Sequence, residues 1–105
     1  MSPDRQADKP VFRVVDAMKA PYSGQILRVR LAEGKAPSLR EIKGSRFRAR
    51  APDGTETTVQ VDAFATIGGK QSDARFARTG RLDLVVSQEP GEPRVALRWS
   101  LTGPV

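Results

Sequence analysis

Alternation of apolar and polar residues is the feature that most restricts what this 105-residue chain can fold into. In QILRVRL, Leu27 and Val29 fall on one side, and Arg28 and Arg30 fall on the other. This period of two is typical of a β-strand with one buried face and one wet face. The same period recurs in VFRVVDAM (11–18), SRFRAR (45–50), TTVQVDAF (57–64), GRLDLVV (80–86) and RVALRWSL (94–101). Six such runs separated by turn signals predict an all-β fold, a sandwich or a small antiparallel β-barrel.

Two short helical turns are expected between the strands. In SLREIKG, Ser38 can cap a helix, Glu41 is the capping-box partner three residues later, and Gly44 ends the helix. SDARFARTG has the same organisation between Ser72 and Gly80. The apolar residues of the two segments are expected to close an end of the barrel: Leu39, Ile42 and Phe76.

Composition limits the classes of protein that the chain can belong to. We expect a single barrel domain over residues 11–103, after a polar, disordered leader over residues 1–10. The chain has neither cysteine nor histidine, so it has no thiol nucleophile and no thiolate metal site, and it lacks the commonest general base and the commonest transition-metal ligand. We therefore expect a protein that is not an enzyme, with no cofactor and no metal. Because no apolar run approaches a membrane span, we also expect a cytoplasmic protein with no membrane partner. The sequence does not determine the oligomeric state, and a monomer is the default.

Positive charge is concentrated in one quarter of the chain. The formal net charge is +6, and residues 26–50 contain eight Lys or Arg against two Glu. Such a field attracts anions. The candidate anion-binding or nucleic-acid-binding residues are Arg28, Arg30, Arg46 and Arg48, extended by Arg40 and Lys43. The alternative is that these side chains are only the solvated faces of strands. The carboxylates of Asp62, Asp73 and Asp83 are assigned to solvent and helix caps.

The turn APDGT predicts the register of one hairpin. A three-residue loop that ends at Gly54 suits the Pro-Asp-Gly sequence. That loop sets Phe47 against Val59 and keeps the apolar residues on one face, whereas a one-residue slip would mix the faces. It also sets Arg50 against Glu56, a favourable cross-strand pair. In this register Arg46 and Arg48 lie opposite neutral residues.

Three segments resemble the second, β-barrel domain of translational GTPases. GQILRVRLAEG has glycines at 24 and 34 and apolar residues at 26 and 31, as that family does, with Val29 in place of a middle glycine. LREIKGSRFRA has Gly44-Ser45 where the family has Gly-Asp. The third segment ends in ARTGRLDLVV, where Ala77 and Gly80 match and Arg81 replaces Asp. The resemblance covers about residues 12–88.

The resemblance implies a barrel that contacts RNA or the ribosome, here without a GTPase domain because the chain has no phosphate-binding G-x-x-x-x-G-K-[ST] motif. The first functional hypothesis is therefore an RNA- or ribosome-associated module that uses the arginine-rich face. Tyr22 is an aromatic candidate for base stacking, or it packs at a barrel edge. The second hypothesis is an interaction or structural module with an acidic protein partner.

Overall fold

The computed structural model describes residues 9–21, 24–65 and 70–105. Their elements are β1 (Val11–Lys19), β2 (Gln25–Glu33), α1 (Leu39–Ile42), β3 (Arg46–Arg50), β4 (Glu56–Phe64), α2 (Asp73–Thr79), β5 (Arg81–Ser87) and β6 (Ser100–Thr102). The predicted all-β fold of about six strands and two helical turns is confirmed. Residues 1–8 of the expected leader lie outside the described residues, and so does Tyr22.

The six strands close into a barrel in the order β1-β2-β5-β4-β3-β6. All six neighbouring pairs are antiparallel, including β1 with β6, which completes the ring. Closure pairs strands that would otherwise form the edges of an open sheet. In this closed barrel of six strands, β2 and β3 are three strands apart, so they lie on opposite walls of the barrel.

The core is formed by the inward side of each strand together with residues from both helices. Phe12 and Val14 are the buried apolar residues of β1, and Leu27 and Val29 those of β2. Phe76 of α2 stacks on Phe12 with ring centroids 5.9 Å apart. Phe47 meets the same Phe12 ring edge-on, also at 5.9 Å. Such aromatic pairs contribute beyond the area that they bury.

The helices form as their caps predict, and their apolar residues join the core. Ser38 Oγ accepts from the Glu41 N–H, and the Glu41 carboxylate accepts from the Ser38 N–H, which is the capping box. Gly80 ends α2 in the left-handed conformation at φ 69°. The carboxylate of Asp73 accepts from the Leu39 N–H at 2.7 Å and so links the two helices. Ile42 and Phe76 are buried and Leu39 is partly buried.

The β3–β4 hairpin has the predicted register. Phe47 pairs with Val59, and Arg50 pairs with Glu56. The loop is closed by the Ala51 N–H, which donates to the Thr55 carbonyl at 2.8 Å. Register here follows from a short loop and a strict alternation, because a slip of one residue would turn Phe47 toward water.

The last predicted strand is much shorter than expected. Only Ser100–Thr102 is a strand, whereas the alternation predicted one over 94–101. The alternation in this segment predicts Val95, Leu97 and Trp99 on the inward face; Val95 and Trp99 are buried, but Leu97 is 55% exposed. Arg98 takes a left-handed conformation at φ 72°, which interrupts an extended chain. The expectation that Leu97 faces the core is therefore wrong.

Candidate anion-binding surface

The predicted site residues lie in three separate places rather than on one face. Arg28 and Arg30 project from β2, Arg46 and Arg48 from β3, and Arg40 and Lys43 belong to α1 and its C-cap. Because β2 and β3 are on opposite walls, the first two pairs cannot bind one ligand side by side. The sequence leaves open whether these arginines form one surface, and the order of strands around the barrel separates them.

The wall that contains β3 has mixed charge. Arg48 Nη1 donates to Glu56 Oε1 at 3.2 Å, and Arg50 Nε lies 4.0 Å from Glu56 Oε2. Glu56 therefore contacts both arginines. Arg48 lies directly opposite neutral Thr58, as predicted, and Glu56 reaches it diagonally across the strands. Glu89 also lines a surface hollow beside Arg46. Acidic groups therefore offset much of the positive charge on this wall.

Arg28 on β2 is also engaged. Its Nε donates to Asp83 Oδ1 at 2.9 Å, and Nη2 lies 3.5 Å from Oδ2. This hydrogen bond, followed by the charge of Asp83 and then by that of Asp16, raises the pKa of Arg28 above its ordinary value. Asp83 itself is only 7% exposed. Its assignment to solvent is wrong, because the side chain is buried in an ion pair with Arg28 in the lining of a cleft.

Arg30 stands at the centre of three arginines on neighbouring strands. Across β1 and β2 it pairs with Arg13, and across β2 and β5 it pairs with Arg81. We call Arg13, Arg30 and Arg81 the arginine rung. All three residues are exposed, and none forms an ion pair with a carboxylate in the part of the chain that the structure describes. Directly opposed like charges destabilise a sheet.

The arginine rung extends along the ring toward the β3 wall. Arg13 pairs with Ser100 on β6, and Ser100 pairs with Arg50 on β3. Arg50 in turn faces Glu56, where the positive series ends. The register thus places four arginines and one serine along one line of cross-strand pairs before the first carboxylate.

The neighbouring line of pairs only partly offsets the arginine rung. There Arg28 lies between Asp16 of β1 and Asp83 of β5. This line has one negative charge in excess, and it lies two residues away, roughly 7 Å along the strand. Counted over β1, β2 and β5, five Lys or Arg stand against three acidic residues, Asp16, Glu33 and Asp83, so this surface is positive overall.

Arg13 and Arg81 are not among the anion-binding candidates from the sequence, because each stands outside the basic quarter of the chain. The alternation places both on outer faces, which is a usable signal. Their alignment with Arg30 depends on register shifts in the β1–β2 pair, between Val11 and Phe12 and between Val14 and Asp16. No pattern in the sequence predicts those shifts.

The fold and surface together define a small closed antiparallel β-barrel with a localised cationic outer surface. Comparisons of the chain with family models, with curated proteins and with solved structures find no match. Among residues 9–21, 24–65 and 70–105, no three acidic side chains are grouped so that they could hold a metal ion. The two helices in those ranges have four and seven residues, far short of a membrane span.

Proposed function

We propose that this barrel binds RNA through the arginine rung, which holds the phosphates of the backbone. The observation that carries the proposal is the direct opposition of Arg30 to both Arg13 and Arg81, with no acidic residue in that line of pairs across β1, β2 and β5. Opposed guanidinium groups repel in the free protein. Phosphate oxygens between them replace the repulsion by charge-assisted hydrogen bonds. A polyanion therefore gains more here than at isolated surface arginines.

The dimensions of the arginine rung favour a flexible single strand. Two inter-strand spacings amount to roughly 10 Å, enough for contacts to two or three phosphates. The barrel surface is convex across these strands, so a single strand can follow it, whereas a stiff duplex would meet it only along a short line. The choice of RNA over DNA rests on the resemblance to the barrels of translational GTPases.

The test is a titration of labelled single-stranded RNA by fluorescence anisotropy at 50 and 200 mM salt. We expect a dissociation constant between roughly 1 and 100 µM at the lower salt concentration, the range of non-specific phosphate contacts. The slope of log affinity against log salt should lie between roughly −1.4 and −2.1, as expected for two or three phosphates on a single strand. A DNA strand of the same sequence tests the preference for RNA.

Arg30→Gln and Arg46→Gln form a matched pair, since each removes one exposed arginine from a strand. Arg30→Gln should weaken binding several-fold and reduce the salt slope by about 0.7, whereas Arg46→Gln should have little effect. Equal losses for the two variants would overturn the assignment to the arginine rung. No RNA binding at 100 µM protein, together with binding of polyglutamate, would favour the acidic protein partner instead.

A further inference from the structure

A cleft lies between α2 and the outer surface of β5. It has a volume of about 240 Å³, and its walls include Arg75 of α2, Arg81 of β5 and Arg28 of β2. Gln71 and Asp83 also line it. This volume is below that of sites for drug-sized ligands, so the cleft suits one small group with a short attachment.

The charges of the cleft leave two arginines uncompensated. Asp83, in the lining, is neutralised by Arg28 at 2.9 Å. Arg75 and Arg81 form no ion pair within the described ranges. The cleft therefore has two positive charges in excess. A phosphomonoester, with a charge of about −1.5 to −2 at pH 7, is the anion that balances them.

One hydroxyl holds the backbones of these two arginines together. Thr79 Oγ1 donates to the Arg75 carbonyl at 2.9 Å and accepts from the Arg81 N–H at 3.2 Å. Gly80 then ends the helix so that β5 begins at Arg81. Both Cα positions are therefore set before any ligand arrives, which lowers the entropic cost of binding.

We infer that this cleft binds a phosphomonoester group, with Arg75 and Arg81 as its ligands and Asp83 as a counter-charge that restrains the affinity. The group belongs to a free nucleotide or to a phosphorylated end of a nucleic acid, which present the same dianion. The inference rests on the cleft itself and not on binding of RNA by the arginine rung. The two share only Arg81.

The test follows amide chemical shifts during titration with uridine monophosphate, with uridine as the control without phosphate. We expect saturable shifts at the amides of Thr79 and Arg81 with the nucleotide and none with uridine. Equal shifts with uridine would overturn the inference. Oligonucleotides of one sequence, with and without a 5′-phosphate, then distinguish a nucleic acid end from a small nucleotide as the source of the group.

Two substitutions in the cleft should change the affinity for the nucleotide in opposite directions. Arg75→Gln should weaken binding of the nucleotide roughly three- to fivefold, the scale of one exposed charge pair, and Arg78→Gln on the same helix is the matched control. Asp83→Asn should strengthen binding about threefold, since it removes a negative charge and frees Arg28. Weaker binding by folded Asp83→Asn, or equal effects of Arg75→Gln and Arg78→Gln, would contradict the inference.

Two further variants test the ion pair in the cleft and separate nucleotide binding from RNA binding. If Asp83→Asn does not fold, Arg28→Gln tests the same ion pair, because it leaves Asp83 uncompensated and should weaken binding of the nucleotide roughly three- to fivefold. Unchanged binding by Arg28→Gln would overturn the inference. Arg13→Gln, outside the cleft, should weaken RNA binding but leave binding of the nucleotide intact, so failure of either proposal is recognised separately.

Discussion

Arg13 and Arg30 stand directly opposite each other across β1 and β2, and Arg81 faces Arg30 from the other side. The middle residue is therefore repelled by both neighbours. We predict that Arg30→Thr raises the free energy of unfolding by roughly 0.2–1 kcal/mol for each relieved pair at low salt. Threonine keeps the β-propensity of the position high. Urea denaturation measures the change.

Arg46→Thr is the control for this prediction, since Arg46 is an exposed strand residue that faces Gln60 rather than an arginine. Its stability should change little. The gain for Arg30→Thr should shrink at 1 M salt, where the screening length falls to about 3 Å. A loss of stability in Arg30→Thr would show that the opposed arginines do not strain the free protein.

RNA binding should depend little on base composition. Phe12, Phe47, Phe76 and Trp99 are buried, and Phe64 is half-buried against the core, so no aromatic ring among the described residues is exposed for stacking. Base stacking on aromatic side chains contributes about 1–3 kcal/mol per base where it occurs. We expect poly(U) and poly(C) to bind within about threefold of each other, measured by competition. A tenfold preference would indicate a base-reading surface in addition to the arginine rung.

The hairpin was predictable from sequence because everything that determines it is local. A three-residue loop and two adjacent alternating strands leave one register that buries both Phe47 and Val59. Only part of the candidate site was predictable from the sequence, because its alignment depends on more than a local turn. Arg30 is a candidate from the sequence, but its alignment with Arg13 depends on register shifts in the β1–β2 pair, and its alignment with Arg81 depends on β2 and β5, which are distant in sequence.

The missing part of the last strand has a physical explanation that alternation cannot reveal. Gln25 is 6% exposed, and its side-chain amide donates to the Val95 carbonyl at 2.8 Å and accepts from the Val95 N–H at 3.1 Å. One glutamine side chain thus satisfies the backbone groups that a neighbouring strand would otherwise satisfy. The segment around Val95 can then stay irregular while Val95 itself remains buried.

This pairing predicts that Gln25→Leu is strongly destabilising. It would leave the N–H and the carbonyl of Val95 without partners, at about 1–3 kcal/mol for each buried group. The expected loss in the free energy of unfolding is therefore several times that of Gln60→Leu, a change of the same chemistry at an exposed position on β4. Similar losses for both variants would mean that Gln25 does not support the segment before β6.

Gly24 is required by a close backbone contact as well as by its conformation. It has φ +80°, and a Cβ there would collide with the carbonyl oxygen of Val86. Gly91 has φ +90° but open space around it. Gly91→Ala should therefore cost only about 1–2 kcal/mol for the left-handed backbone, whereas Gly24→Ala should cost clearly more. Thermal unfolding compares the two, and equal costs would show that the Val86 carbonyl moves away freely.

The β3–β4 turn should weaken in acid through Asp53. Its carboxylate accepts from the Thr55 N–H at 2.9 Å, and hydrogen bonds from Thr55 hold the pKa of Asp53 below its ordinary value of 3.8. Because the folded-state pKa is depressed, the stabilisation is fully present above the ordinary value and is lost as the pH falls through the folded-state pKa.

Asp53→Asn removes the charge but keeps an oxygen acceptor, so it isolates this titration. Wild type should exceed Asp53→Asn in the free energy of unfolding at about pH 5, and the difference should narrow toward about pH 2, below which both forms are uncharged at this position. Asp62→Asn, at an exposed position on β4, controls for the general effect of acid. A difference between wild type and Asp53→Asn that stays constant with pH would show that the turn does not depend on the ionised carboxylate.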